Sequence, residues 1–144
     1  YTYTVPANTL STNKMLRLAL IGDMLSNNTN DTLTVRVKFG ATTIYSNNGV
    51  APLNNAARRA LVLKLALSAN NATNAQVSEG VLYVGNVDTV GGVANTWNLH
   101  PQLAVHNAIA IDTTADATLA VTYQWGVASV NNSAKAFTVQ LELI

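Results

Sequence analysis

One polar segment of the chain contains side chains typical of a carbohydrate-binding site. The face of an indole ring stacks on a sugar ring, while amide and imidazole groups hydrogen-bond its hydroxyls. This combination predicts a ligand platform, with the alternative that the tryptophan folds back to cover the open end of the domain. The candidate residues are Asn95, Trp97, Asn98 and His100.

The two histidines, His100 and His106, are six residues apart and would lie on one face of an unbroken strand. Pro101 interrupts such a strand, because proline cannot donate to the ladder. A zinc site would also need a third or fourth ligand, and only Asp112 has a matching even spacing. We therefore predict no joint metal site, and neither metal nor cofactor.

The seven acidic residues show no catalytic spacing, and the sequence contains no GxSxG, HExxH or GxxxxGK[ST] motif. Asp112 and Asp116 are predicted to cap the turn between them rather than to share a proton. The alternative is a hydrolase whose paired carboxylates are distant in sequence and meet in the fold. The favoured prediction is a non-enzymatic protein with no catalytic residues.

The elements that would position these residues are strands separated by turns rich in Asn, Ser and Gly. They predict a single all-β domain, an antiparallel, jelly-roll-like sandwich of about eight strands over residues 13–144. Residues 1–12 are predicted to be an extended N-terminal arm that crosses to a neighbouring subunit, or else a frayed terminus. The predicted strands are 15–22, 32–39, 42–45, 58–69, 76–87, 103–112, 118–127 and 136–143.

Residues 58–69 are also compatible with a helix of about three turns, because they are rich in Ala, Leu, Lys and Arg. Arg59, Leu61 and the next three odd-numbered leucines share one parity, and helical spacing would scatter them around the cylinder. The alternation favours a strand. In the same way, the last strand is predicted to place Phe137, Val139, Leu141 and Leu143 on one side.

Residues 15–21 and 58–69 are apolar on both parities, so one face of their sheet is predicted to form the core. The other face is a candidate for subunit contact, because large apolar patches usually mark interfaces. Alternatively, the small side chains of Ala19, Ala60 and Ala66 tolerate water.

The amino-acid composition limits the classes of function that the protein can have. The 144 residues are 49% hydrophobic and only 10% charged, and the formal net charge is +1. Without a basic cluster, nucleic acid is an unfavourable partner, and no apolar run reaches the ~18 residues of a membrane span. With no cysteine, disulfides and thiolate metal sites are excluded. Low charge gives little repulsion between copies and favours self-association.

Several segments resemble bacteriophage virion surface domains of the tail-fibre and capsid-decoration type. They are the Gln124-Trp125-Gly126 strand, the polar turn after it, the final F-x-V-x-L-E-L strand, and the N-terminal segments 5–10, 15–22, 32–40 and 41–45. Residues 87–101 depart from the family pattern, since they are longer and richer in Gly and Asn.

This resemblance implies a structural protein of the virion that forms a homotrimer and contacts other capsid or tail proteins. Trp97 and its neighbours support an alternative function, a carbohydrate-binding module that contacts a host surface glycan. We expect no partnership with nucleic acid or membrane. A capsid protein and a tail protein would both need a stable, weakly charged β-module, so the sequence does not choose between the two locations.

Overall fold

The structure, a computed structural model, describes residues 1–27, 31–47, 49, 55–85 and 105–144, apart from the side chains of residues 55 and 105. The strands within these ranges are β1 (Thr2–Val5), β2 (Met15–Ser26), β3 (Leu33–Phe39), β4 (Thr42–Ser46), β5 (Asn55–Ala72), β6 (Ala75–Val84), β7 (Val105–Ile109), β8 (Ala117–Trp125) and β9 (Asn132–Leu143). In these ranges no helix is long and apolar enough to cross a membrane.

The strands form two antiparallel sheets that pack face to face. The four-stranded sheet has the order β1-β8-β3-β4, and the five-stranded sheet has the order β7-β6-β5-β2-β9. β2 therefore lies between β5 and β9, pairing Leu16 with Leu67 on one side and with Leu143 on the other. The all-β sandwich predicted from the sequence is confirmed. The boundary between arm and domain stays a prediction, although Thr2–Val5 pairs with β8 of the same chain.

The core consists of the alternate apolar side chains that each sheet turns toward the other. The five-stranded sheet contributes the even-numbered leucines of β2 and the odd-numbered leucines of β5, and the four-stranded sheet covers them with β3 and β8. Members of this core that are at most 5% exposed include Leu16, Leu18, Leu20, Leu61, Leu63, Leu65, Leu67, Leu33, Val35, Val37, Phe39, Leu119 and Val121. Residues 58–69 are therefore a strand, as their alternation predicted.

The structure corrects some strand limits. β1 was not predicted, and β7 ends at Ile109 although the sequence favoured a strand as far as residue 112. The buried Gln76 side chain explains the early end of β7. Its Nε2 donates to the carbonyl oxygen of Ile111 (3.0 Å) and its Oε1 accepts from the Ile111 N–H (2.9 Å), so a side chain replaces the strand ladder.

β9 differs from the simple alternation expected for it. Thr138 pairs with Ile21, but Ala136 pairs with the next residue of β2, Gly22, so Phe137 is the extra residue of a β-bulge. Val139 and Leu141 pack against the core as predicted. Phe137 is 65% exposed and Leu143 is 46% exposed, because the bulge breaks the alternation at Phe137 and because β9 is the edge of its sheet.

Candidate functional site

The residues predicted to bind a glycan, Asn95, Trp97, Asn98 and His100, all lie outside the described residues. That site stays a prediction. The second histidine, His106, lies on β7, where its Nδ1 is 3.1 Å from Oε1 of Glu79 on β6. Both side chains are largely exposed, so this contact is weak. Within the described ranges, no group of three or more metal-ligating side chains is found.

Asp112 caps the turn that follows it, as the sequence predicted, whereas Asp116 does not cap that turn. The Asp112 Oδ1 accepts hydrogen bonds from the N–H (2.9 Å) and the hydroxyl (2.6 Å) of Thr114. These bonds favour the charged carboxylate and lower the pKa of Asp112. Asp116 accepts instead from the N–H of Ala7 at 2.8 Å, which fixes the segment after β1. Both carboxylates thus stabilise turns.

On one flank of the sandwich the two sheets are closed against each other. We call it the closed flank, where β4 contacts β6 and β7. Ile44 and Tyr45 of β4 are fully buried there, and the Ser78 hydroxyl donates to the Ile44 carbonyl oxygen at 2.7 Å. Burial raises the pKa of Tyr45 to about 12. Gly80 gives this ring its space, because a Cβ there would lie 2.5 Å from the Tyr45 Cδ2.

The opposite flank is open. We call it the open flank, and its edges are β1 in one sheet and β9 in the other, since both strand orders end there. Apolar side chains remain exposed along both edges, and three of them are aromatic. These residues are Tyr1, Tyr3, Phe137, Leu143 and Ile144. An apolar surface that spans two neighbouring edges is typical of a protein–protein interface.

The strands of the open flank are connected by polar contacts close to β9. The Arg58 guanidinium on β5 holds both carboxylate oxygens of Asp23 on β2, with Nε 2.6 Å from Oδ2. The same guanidinium donates to the Ser133 hydroxyl of β9 at 2.9 Å. The hydrogen bond and charge of Arg58 lower the pKa of the Asp23 carboxyl. Three strands of the five-stranded sheet are thereby cross-linked beside the exposed edge.

The outward-facing side of the five-stranded sheet contains a groove of about 710 Å³, which we call the outer groove. Its floor consists of short side chains and its margins of long polar ones. Ala19 and Ala66 lie in this floor and are only partly buried. They are among the apolar residues that β2 and β5 carry on their outward-facing parity. The side chains that define the outer groove are Arg17, Ala19, Lys64, Ala66, Glu79, Val81, His106, Gln140 and Glu142.

One cation is buried: Arg59 of β5 faces the core and is 2% exposed. Its Nε and Nη2 have no hydrogen-bond partner among the described residues. Burial lowers the pKa of this guanidinium, because the charged form loses its hydration. The alternation of β5 did place Arg59 on the leucine side, so the signal was present, but charge argued for exposure.

Comparisons with protein-family models, with curated proteins and with solved structures found no match to this chain.

Proposed function

We propose that this protein is a non-enzymatic structural module of a bacteriophage virion surface that assembles into a homotrimer through its open flank. The observation that carries the proposal is the exposure of aromatic and aliphatic side chains along β1 and β9, the two edge strands of the open flank. In a trimer, the three open flanks face one another around the axis.

Burial of these side chains in an interface would stabilise the assembly, because it removes apolar surface from water. Phe137, Tyr3 and Leu143 are each between 46% and 65% exposed. Moving such a side chain from full exposure to full burial contributes about 1.5–3 kcal/mol, so burying the exposed half contributes roughly 1 kcal/mol, and several act together at one interface. The charges on β9 do not oppose this, since Lys135 and Glu142 have opposite signs. The net charge of +1 adds little repulsion between copies.

The phage location and the trimer are supported by the sequence resemblance to tail-fibre and capsid-decoration domains. A decoration protein or fibre component needs stability and a self-complementary surface more than it needs a reactive centre. The exposed apolar flank supplies such a surface, and the remaining contacts of the module would be with other capsid or tail proteins. We therefore also propose that the protein is located on the virion.

The test is the mass of the purified protein by light scattering across micromolar concentrations. We expect three times the 15.2 kDa of one chain. The variants Phe137→Lys and Leu143→Lys should weaken association by roughly ten- to a hundredfold each, because 1.4 kcal/mol is a factor of ten. Thr43→Lys is the control, since Thr43 is exposed on edge strand β4 of the closed flank, at the opposite end of its sheet from β1. It should leave the mass unchanged.

A monomer at these concentrations would overturn the self-association, and a mass lowered equally by Thr43→Lys would move the interface away from the open flank. Location is tested by sedimentation with isolated phage shells. Co-sedimentation of the trimer supports a capsid-decoration role. A trimer that ignores the shells but is incorporated in isolated tails supports the fibre role, and a trimer that binds neither overturns the virion assignment.

A further inference from the structure

The outer groove crosses the whole five-stranded sheet. The register places His106, Glu79, Ala66, Arg17 and Glu142 side by side, one on each of the five strands in sheet order. Strands in a sheet are about 4.8 Å apart, so this row extends roughly 19 Å. A groove of that length, open along its top, suits a short linear chain of units better than a single compact molecule.

The floor of the outer groove is made by residues too short to fill it. The neighbouring row of the register places Val81, Lys64, Ala19 and Gln140 side by side. Ala19 and Ala66 therefore lie diagonally across β2 and β5, flanked by the longer side chains of Arg17 and Lys64. The result is an apolar strip between polar margins, which matches the alternation of C–H faces and hydroxyl edges on a pyranose chain.

Some polar groups along the outer groove already form hydrogen bonds or ion pairs within the chain, and others do not. Glu79 is paired with His106, and one Glu142 oxygen accepts from Gln140 Nε2 at 2.6 Å. The side chains of Arg17 and Lys64 have no hydrogen bond or ion pair with any residue that the structure describes. Donors are thus in excess at the centre of the groove, and each carboxylate has a second oxygen to offer.

The charges that surround the groove balance. Two cations, Arg17 and Lys64, alternate with two carboxylates, Glu79 and Glu142, so an anionic or cationic chain would meet repulsion as well as attraction. Hydroxyl groups both donate and accept, and they satisfy both kinds of side chain without a net charge. We infer that the outer groove binds an uncharged oligosaccharide, independently of Trp97 and of the open flank.

The test is isothermal titration of the wild-type protein with uncharged tetrasaccharides, namely cellotetraose, maltotetraose and tetra-N-acetylchitotetraose, and with tetragalacturonate as the anionic comparison. We expect at least one uncharged sugar to bind, with little dependence on salt. Arg17→Ala and Lys64→Ala should each lower its affinity by roughly ten- to a hundredfold, because a hydrogen bond to a charged group contributes about 1.5–3 kcal/mol. Lys38→Ala, on the other sheet, is the matched control and should not change it.

A second variant, Ala66→Trp, fills the floor and should abolish binding, with its thermal melt recorded to show that it folds. Several results would overturn the inference. They are no binding of any uncharged sugar at millimolar concentration, salt-sensitive binding of tetragalacturonate alone, or loss of binding on Trp97→Ala but not on Arg17→Ala. A change of mass with Ala66→Trp and no sugar binding would show that a second copy occupies the groove. None of these outcomes changes the association expected for the open-flank variants Phe137→Lys and Leu143→Lys.

Discussion

The closed flank and the open flank of this sandwich are built from similar residues with opposite exposure. On the closed flank, Tyr45 of edge strand β4 is fully buried against β6, and Ser78 hydrogen-bonds the backbone beside it. On the open flank, Tyr3 of edge strand β1 is 47% exposed, although it too lies at the end of its sheet. An aromatic residue at an edge is therefore not itself the cause of closure.

The difference lies in what the opposite sheet offers. On the closed flank, β6 presents Gly80, whose missing side chain leaves a space that the Tyr45 ring fills. On the open flank, β9 is bulged at Phe137 and turns that ring outward. Among the described residues, side chains of the chain itself fill the closed flank, whereas apolar side chains on the open flank stay exposed.

The largest effect should come from exchanging one tyrosine on each flank for alanine. Tyr45→Ala empties a buried site and should lower the free energy of unfolding by about 3–5 kcal/mol. Tyr3→Ala, its matched control, removes a half-exposed ring and should cost less than about 1 kcal/mol at concentrations where the protein is monomeric. Urea unfolding measures both. Equal losses would show that the open flank is as well packed as the closed one.

Glycine at the bulge should produce an intermediate effect on the open flank. A Cβ at Gly22 would lie 2.0 Å from the carbonyl oxygen of Lys135, so Gly22→Ala must displace β9 and should cost roughly 1–3 kcal/mol. Gly40→Asn is the control, because Gly40 has a φ of +59° with open space around it, and asparagine tolerates that conformation. Urea unfolding should show the smaller loss for Gly40→Asn. The reverse order would mean that the bulge relaxes freely.

The smallest effect should be the pH dependence of the ion pair beside β9. Because the pKa of Asp23 is lowered in the folded state, its contribution is present above the unfolded pKa and is lost as pH falls through the folded value. Asp23→Asn should therefore remove a loss of stability below about pH 4, of less than about 1 kcal/mol for a surface pair. Thermal melts between pH 2 and 7 measure it, and Glu142→Gln controls for loss of a carboxylate. An unchanged profile would show that the Arg58 contact contributes nothing.

The sequence predicted the sandwich because its core strands carry their pattern locally. Leu63 and Leu65 alternate with polar or small residues, and so do Leu16 and Leu18, which is sufficient to define which side is buried. β1 was missed because four residues carry little pattern and because its partner β8 is more than a hundred residues away. The residue pattern of a short segment does not show which distant strand that segment pairs with.

The candidate sites were harder to predict for the same reason. The outer groove joins residues of five strands, and no motif in the sequence links Arg17 to Glu79 or His106. The bulge at Phe137 depends on the close approach of β9 to Gly22, which only the paired strands reveal. Arg59 is buried against the usual preference of its charge, although the alternation of β5 placed it on the same side as the core leucines.

The position of β2 between β5 and β9 has a kinetic consequence. Its pairs with β5 join residues between 29 (Ser26 and Asn55) and 53 (Met15 and Ser68) positions apart, whereas Leu16 pairs with Leu143, 127 positions further along the chain. During synthesis, β2 has one partner and an unsatisfied edge until β9 leaves the ribosome. Such high contact order makes folding slow, in milliseconds to seconds rather than microseconds. The five-stranded sheet is therefore completed by its last strand, after synthesis of β9, and stopped-flow refolding should show the delay.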